Sequence, residues 1–319
     1  MHALIEEMLA ELGDSGQPER HDGAVLSIPS SRIAFTTDSY VVDPVFFPGG
    51  DIGTLAVYGT VNDLSMCGAV PAWLSLGLIL EEGFPLSVLH RIVGSISGAA
   101  RETSVRIVTG DTKVVGSGMA DGIFINTAGI GLLKEGVRIG PSRIRPGDRI
   151  VLSGDLGRHG IAILAAREGM RLETSLESDL APLAGAVGGL LDSGTEVACM
   201  RDLTRGGLAS ALNELSMSAG LGMRIEERTI PVSPEVSGVC ELLGLDPLSV
   251  ACEGRFVAFV RPGDADRALA ALGGFAECRD AAVIGTVTGP EEARVALTSM
   301  VGTTRILDML SGEQLPRIC

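Results

Sequence analysis

Short aliphatic runs alternate along this chain with longer segments of helical spacing, and this alternation restricts its fold more than any other feature. Residues 32–37, 72–80, 105–108 and 123–132 read as strands. Residues 52–67 and 85–102 read as helices, the second opened by Pro85 in a favoured first-turn position. A Gly-, Pro- and charge-rich stretch over 134–148 follows. The alternation then resumes, with a strand over 149–153, helices near 159–168, 182–191 and 208–219, and strands near 256–260, 283–287 and 295–297. This order predicts an α/β (α+β) architecture of helix-covered sheets. Aromatic residues make up only 3% of the 319, so the core has to be aliphatic, as it is where sheets are buried under helices. The length favours two domains: an N-terminal unit over 1–147, a C-terminal α/β unit over 148–301, and a mobile tail over 302–319. Extended, those last residues reach roughly 60 Å, and 311–314 read as a loose segment before an extended end.

The formal net charge of -15 repels nucleic acid and anionic membranes, which bind through clustered Lys and Arg. The longest apolar stretch, 69–80, is interrupted by Pro71, Ser75 and Gly77 and is too short to span a bilayer. The chain begins with an acidic amphipathic segment without the basic region of a secretory signal. Cysteines 67, 199, 240, 252, 278 and 319 show no CxxC spacing. They are expected as reduced thiols of a cytoplasmic protein.

Several constellations could carry chemistry. Asp38, Asp63 and Asp111 lie at expected strand and helix ends, where hard carboxylate oxygens could hold a Mg²⁺ shared with nucleotide phosphates; capping and turn formation is the plainer use of such residues. After the 105–108 strand, residues 109–113 read as a loop, in which Lys113 could meet a phosphate or a developing oxyanion or remain a solvated lysine. No GxxxxGK[ST] motif occurs. Pro48-Gly49-Gly50-Asp51-Ile52-Gly53 could offer backbone N–H groups at a helix start to an anion. Met200-Arg201-Asp202-Leu203-Thr204-Arg205-Gly206-Gly207 fits either a phosphate-binding turn or an ion-paired structural one. Glu253, beside Gly254 and an apolar strand, could be a general base of raised pKa or a partner for Arg255 or Lys113. Cys252 reads as a small buried hydrophobe, and His90 and His159 as structural, since no HExxH-type spacing exists. Cys319, the last residue, staples nothing, and its thiol is free to travel.

Together these stretches resemble one family. They include Asp38-Ser39-Tyr40-Val41-Val42, Phe46-Phe47-Pro48-Gly49-Gly50-Asp51-Ile52-Gly53, Gly59-Thr60-Val61-Asn62-Asp63-Leu64-Ser65-Met66 and Val108-Thr109-Gly110-Asp111-Thr112-Lys113-Val114-Val115. Met200-Arg201-Asp202, Thr204-Arg205-Gly206-Gly207 and the closing Pro316-Arg317-Ile318-Cys319 complete the set. The family is that of the carbamoyl dehydratases of nickel–iron hydrogenase maturation, in the aminoimidazole ribonucleotide synthetase (PurM-like) superfamily. The likeness runs from Asp38 to the end of the chain.

The resemblance implies an N-terminal domain that forms a dimer sheet or barrel with its twin, and an ATP cleft near the dimer seam. It implies ATP and Mg²⁺ as cofactors. Asp38, Gly50, Asp51, Asn62, Asp63, Gly110, Asp111, Thr112, Arg201 and Asp202 would bind them, with Asp38, Asp63 and Asp111 on the metal. A partner carbamoyltransferase would load Cys319, ATP would drive dehydration of the carbamoyl group to a thiocyanate, and an iron-carrying scaffold complex would accept the cyanide. Glu253 and Lys113 would serve the chemistry at Cys319. Leu203 stands where the family usually has proline, and Cys252 where it usually has asparagine. Two other readings stay open: a small-molecule kinase or ligase of the same superfamily, indifferent to loss of Cys319, and a scaffold without ATP turnover.

Overall fold

A computed structural model of the chain describes residues 8, 11–12, 26–29, 32–168, 176–290, 294–309 and 317–319. Most of the acidic amphipathic start and the loose segment expected at 311–314 lie outside the described residues. Among the described residues, no helix is long and apolar enough to cross a membrane.

The first half contains β1 (Ile33–Tyr40), the short hairpin strands β2 (Phe46–Phe47) and β3 (Gly50–Asp51), α1 (Ile52–Met66), β4 (Ala69–Glu81), α2 (Leu86–Glu102), β5 (Arg106–Val115) and β6 (Ile123–Leu133). Four of these strands form a sheet in the order β1-β6-β4-β5. Its parallel pair, β4 and β5, is joined through α2, and its other pairs are antiparallel. One face is covered by helices: Ile52, Leu55, Val57 and Val61 of α1 and Leu89, Ile92 and Ile96 of α2 share a core cluster with Leu76 and Leu78 of β4 and Ile125 of β6.

The opposite face has no cover among the described residues. Ile33, Phe35, Val70 and Ile79 are exposed on it, Phe35 to 66%. Register puts Asp111 opposite Gly77 and Lys113 opposite Ile79, so both side chains belong to this open face. Asp38 lies opposite the buried Thr127 and alternates with Phe35 and Thr37, which places it on the helix-covered side.

In the second half, β7 (Arg149–Leu152), α3 (Arg158–Arg167), α4 (Ala184–Asp192), β8 (Val197–Asp202), α5 (Gly207–Ala219), β9 (Met223–Glu226), α6 (Pro234–Leu243), β10 (Phe256–Val260), α7 (Ala265–Leu272), β11 (Ala282–Val287), β12 (Val295–Thr298) and β13 (Thr304–Ile306) follow one another. The sheet order is β13-β12-β9-β11-β7-β10-β8. Strand β10 explains the apolar run FVAFV. Val257 and Phe259 pack with Leu208 and Leu212 of α5, while Phe256, Ala258 and Val260 pack with Leu190 of α4 and Leu272 of α7. A strand buried on both faces has no polar alternation to show.

Three elements differ from the sequence expectation. Residues 109–113 are not a loop: β5 runs on through Val115, because the long β4 offers parallel hydrogen-bond partners along that whole stretch. Asp202 ends a strand, β8, rather than sitting in a turn, since β10 pairs with it up to Phe256↔Asp202. Within the stretch read as tail, residues 304–306 are a strand, β13, paired with β12, and the Leu307 N–H donates to Val295 O at 2.8 Å.

Candidate active site

The carboxylates gather where α1 meets β8 and α4 of the second half. Asp38 hangs from β1 toward α1, where the next functional side chain is Asp63. Thr36 Oγ1 donates to Asp63 Oδ2 at 2.6 Å, fixing that carboxylate. Asp63 lies within hydrogen-bonding reach of both Asp38 and Asp202, the last residue of β8. Burial, reinforced by Asp63, pushes Asp38 up to about 6. Burial with the same neighbour pushes Asp202 up to about 7. Arg205 opposes the shift at Asp38 and Arg201 that at Asp202. Arg201 itself reaches away, to Glu214 at 2.6 Å. Like charges crowded in a low-dielectric setting retain protons until a cation compensates them.

Glu253 completes the group. It is 4% exposed, and its Oε1 has no hydrogen-bond partner among the described residues. Burial first, then Asp202, Asp179, Asp38 and Asp63, hold its carboxyl well above the usual range. The backbone beneath it is clamped by Asp179, whose carboxylate accepts from the N–H groups of Glu253 (2.6 Å), Gly254 (3.0 Å) and His159 (3.2 Å). A Cβ at Gly254 would collide with the Asp179 carbonyl oxygen, so only glycine fits there. Asn62 ties the two halves together: its Nδ2 donates to Ala181 O at 3.0 Å and Glu253 O at 3.2 Å, and its Oδ1 accepts from Leu183 N–H at 2.8 Å. Leu203 and Cys252 also meet, since Cys252 N–H donates to Leu203 O at 2.9 Å. The Cys252 thiol, buried and well above its ordinary pKa through that burial, accepts from Gly157 N–H at 3.1 Å.

Other sequence candidates lie elsewhere. Asp111 and Lys113 pair with each other at 3.2 Å, 67% and 71% exposed, on the open face of the sheet. Within one chain the expected trio Asp38, Asp63 and Asp111 is therefore divided between two faces, and Asp202 lies beside the first two. Thr112 N–H donates to Asp111 at 2.9 Å, and Gly110 is required because a Cβ would collide with Leu76 O. Asp51 is the N-cap of α1, accepting from Gly53 N–H at 2.8 Å and Thr54 N–H at 3.0 Å, so those groups are not offered to an anion. Gly50 packs where a Cβ would sit 2.6 Å from Leu180 Cδ2. Asp179 is not legible as functional from sequence, because its importance comes from three backbone donors gathered by the fold.

The last residues return to this junction. Val41 N–H donates to Cys319 O at 3.1 Å and Asp43 N–H to Arg317 O at 3.3 Å. Ile318 is 7% exposed, in the cluster that includes Phe47, Ile163 and Ala251. Cys319 is half-buried and in no disulfide.

Hard carboxylate oxygens of this kind suit Mg²⁺. Among the described residues no three candidate ligands converge as a ready-made cage, so oxygens of a nucleotide would be needed to complete the shell, as is usual for this ion.

Comparison with known proteins bears on this geometry. Residues 20–133 match the family "AIR synthase related protein, N-terminal domain", and residues 145–298 match its C-terminal domain counterpart. The chain is 49% identical over 320 residues to the carbamoyl dehydratase HypE of Azotobacter vinelandii, covering 100% of this chain and 94% of that one. It is similar to the crystal structure of hydrogenase maturation protein HypE in complex with ATP, with a TM-score of 0.95 and 44% identity over 100% of this chain and 96% of that one. It is also similar to a chain of a HypE–HypF complex, with a TM-score of 0.85 and 43% identity over 97% of this chain and 100% of that one.

Proposed function

This chain belongs to the HypE carbamoyl dehydratases of the AIR synthase related family, and from that premise we propose that it dehydrates a carbamoyl group carried on its own Cys319, at the expense of ATP, to a thiocyanate that supplies cyanide to hydrogenase iron. The observation that carries this reading is the seat of the tail: the Cys319 carbonyl is held by Val41, three residues beyond Asp38, and Ile318 shares a cluster with Ala251, two residues before Glu253.

The chemistry asks for a leaving group and a base. The carbamoyl oxygen attacks the γ-phosphorus, the bond to ADP breaks, and one N–H proton leaves. The carbon–oxygen bond then breaks, phosphate departs, the second N–H proton leaves, and S–C≡N remains. Asp38, Asp63 and Asp202 would hold Mg²⁺, which when bound offsets phosphate charge. Glu253, strongly basic once ionised, takes an N–H proton. Asn62 and Asp179 fix its backbone and so its aim. Holding the substrate on the chain's own end makes both steps intramolecular.

We assign residues 1–147 as the nucleotide-binding and dimerisation unit, 148–301 as the second α/β unit and 302–319 as the substrate-bearing tail. The open apolar face of the first sheet fits a second copy of the chain. Its two edges are β1 and β5, so closure of two sheets into one barrel sets the Gly110–Lys113 stretch of one copy beside the strand that carries Asp38 in the other. Lys113 then serves the phosphates across the seam. A carbamoyltransferase of the HypF kind loads Cys319, and an iron-carrying scaffold complex takes the cyanide. The setting is the cytoplasm, where ATP is at hand and unbridged thiols persist.

The test is intact-protein mass spectrometry of the carbamoyl-loaded chain with and without ATP and Mg²⁺. Loss of the mass of one water, only with both present, is expected, and Cys319→Ala gives neither loading nor loss. A loaded chain that consumes ATP yet never loses water overturns the dehydratase and points to a kinase or ligase.

A further inference from the structure

We propose that His159 and Arg167, both on α3, are positioning residues that seat the tail by its backbone, so that Cys319 meets the cleft in one register. This rests on the tail-borne reading above and deepens it.

The ring of His159 is fully buried, and both of its nitrogens are engaged. Nε2 is 2.9 Å from Ile318 O, and Nδ1 is 2.8 Å from Ser178 Oγ. A carbonyl oxygen can only accept, so Nε2 carries the proton and Nδ1 accepts from the Ser178 hydroxyl. Ser178 Oγ in turn accepts from Leu180 N–H at 3.0 Å. Burial keeps the ring below its ordinary pKa, hence neutral and in this single tautomer. The ring stands T-shaped against that of Phe47, with centroids 5.5 Å apart at 87°. Ser178 is itself fixed to the same hairpin, its N–H donating to Pro48 O at 2.9 Å. A donor aimed from so closed a slot has one partner, and that partner belongs to the tail. When the tail departs for loading, the donor is left unmet in a buried place, which favours return.

Arg167 sits at the other end of α3 and reaches back. Its Nη2 donates to Arg317 O at 2.6 Å and to Asp43 O at 2.8 Å, and its Nε donates to Asp43 O at 3.0 Å. It thus bridges the tail to the segment that already pairs with it through Val41 and Asp43. The side chains add identity. Ile318 fills an apolar niche, and Arg317, at φ 56, turns to pair with Asp121 at 2.9 Å. Arg167 and His159 thus hold the carbonyls of two successive peptide units, one on either side of the Ile318 Cα.

The test separates seating from chemistry. Cys199, Cys240, Cys252 and Cys278 are buried and Cys67 is exposed, so in a Cys67→Ser background a single fast iodoacetamide adduct reports Cys319. His159→Leu is expected to speed that adduct and to slow water loss from the loaded chain, each roughly ten-fold, the scale of one lost hydrogen bond, with ATP affinity unchanged. His159→Gln, which keeps an amide donor, restores most of both. Arg167→Ala moves both in the same direction by less. Unchanged adduct and water-loss rates in His159→Leu, with the buried cysteines still protected, overturn the proposal. Should His159→Leu expose those cysteines, Arg167→Ala decides alone, and unchanged rates there overturn it. The adduct rate needs no dehydration, so it still judges the seat if the loaded wild-type chain never loses water.

Discussion

The cleft at the junction of the two halves and the edge strand β5 both carry long motifs, yet they are built in opposite ways. At the junction, Asp38, Asp63, Asp202 and Glu253 are drawn from both halves and crowded, and burial raises the carboxyls of Asp38, Asp202 and Glu253 above their ordinary range. On β5, Asp111 and Lys113 stand exposed and pair with one another. The difference teaches that two motifs equally long in sequence can end in opposite settings, one buried and crowded, the other open to solvent. Crowded carboxylates store unfavourable charge that a cation and a nucleotide relieve, whereas an exposed ion pair stores almost nothing and gains its meaning from whatever packs on it.

The contrast can be broken in order of effect. Glu253→Gln should slow water loss from a loaded chain by about 10²–10⁴ while loading of Cys319 continues. Because the Glu253 carboxyl is held high, the base form grows as pH rises. The wild-type rate at saturating ATP should therefore climb through and above neutrality, and the residual rate of the Glu253→Gln variant should stay flat; equal slopes would remove Glu253 as the base.

Next comes the seam. Lys113→Ala and Asp63→Asn should each be nearly inactive. A mixture refolded together should recover about a quarter of wild-type activity, as expected when half the dimers are mixed and each has one intact composite site. No recovery would place the whole site within one chain.

The smallest effect concerns stability. Asp202 has its folded pKa at about 7, above the ordinary 3.8. Its contribution is therefore complete below pH 3.8 and is lost as pH rises through about 7. Above neutrality and without divalent cation, Asp202→Asn should stabilise the chain by roughly 1–3 kcal/mol in urea titrations. Added Mg²⁺ and ATP should reverse the ranking. Lys113→Ala, by contrast, should lie within about 0.5 kcal/mol of wild type.

Local signals make part of this legible in advance. The helix over 52–67 is readable from its run of apolar residues behind the Asp51 cap, and the structure gives Ile52–Met66. Strand β10 is readable as an unbroken apolar run. What fails depends on distant partners. The extension of β5 needs the length of β4, and Asp202 as a strand end needs β10 beside it. Helix α6 carries a usable sign, Ser233 followed by Pro234, with Ser233 Oγ accepting from Val236 N–H at 3.3 Å. In the site, Asp38, Asp63 and Glu253 stand out as carboxylates next to regular structure. The division of Asp38 from Asp111 follows from strand parity, which is fixed only when register is known. His159, read as structural, faces a carbonyl 159 residues away in sequence, a relation no local pattern encodes.

Asn62 has a mechanical side as well. One amide joins α1 to the main chain of Ala181, Leu183 and Glu253. Any rocking of one half against the other would therefore pull on the peptide from which Glu253 hangs.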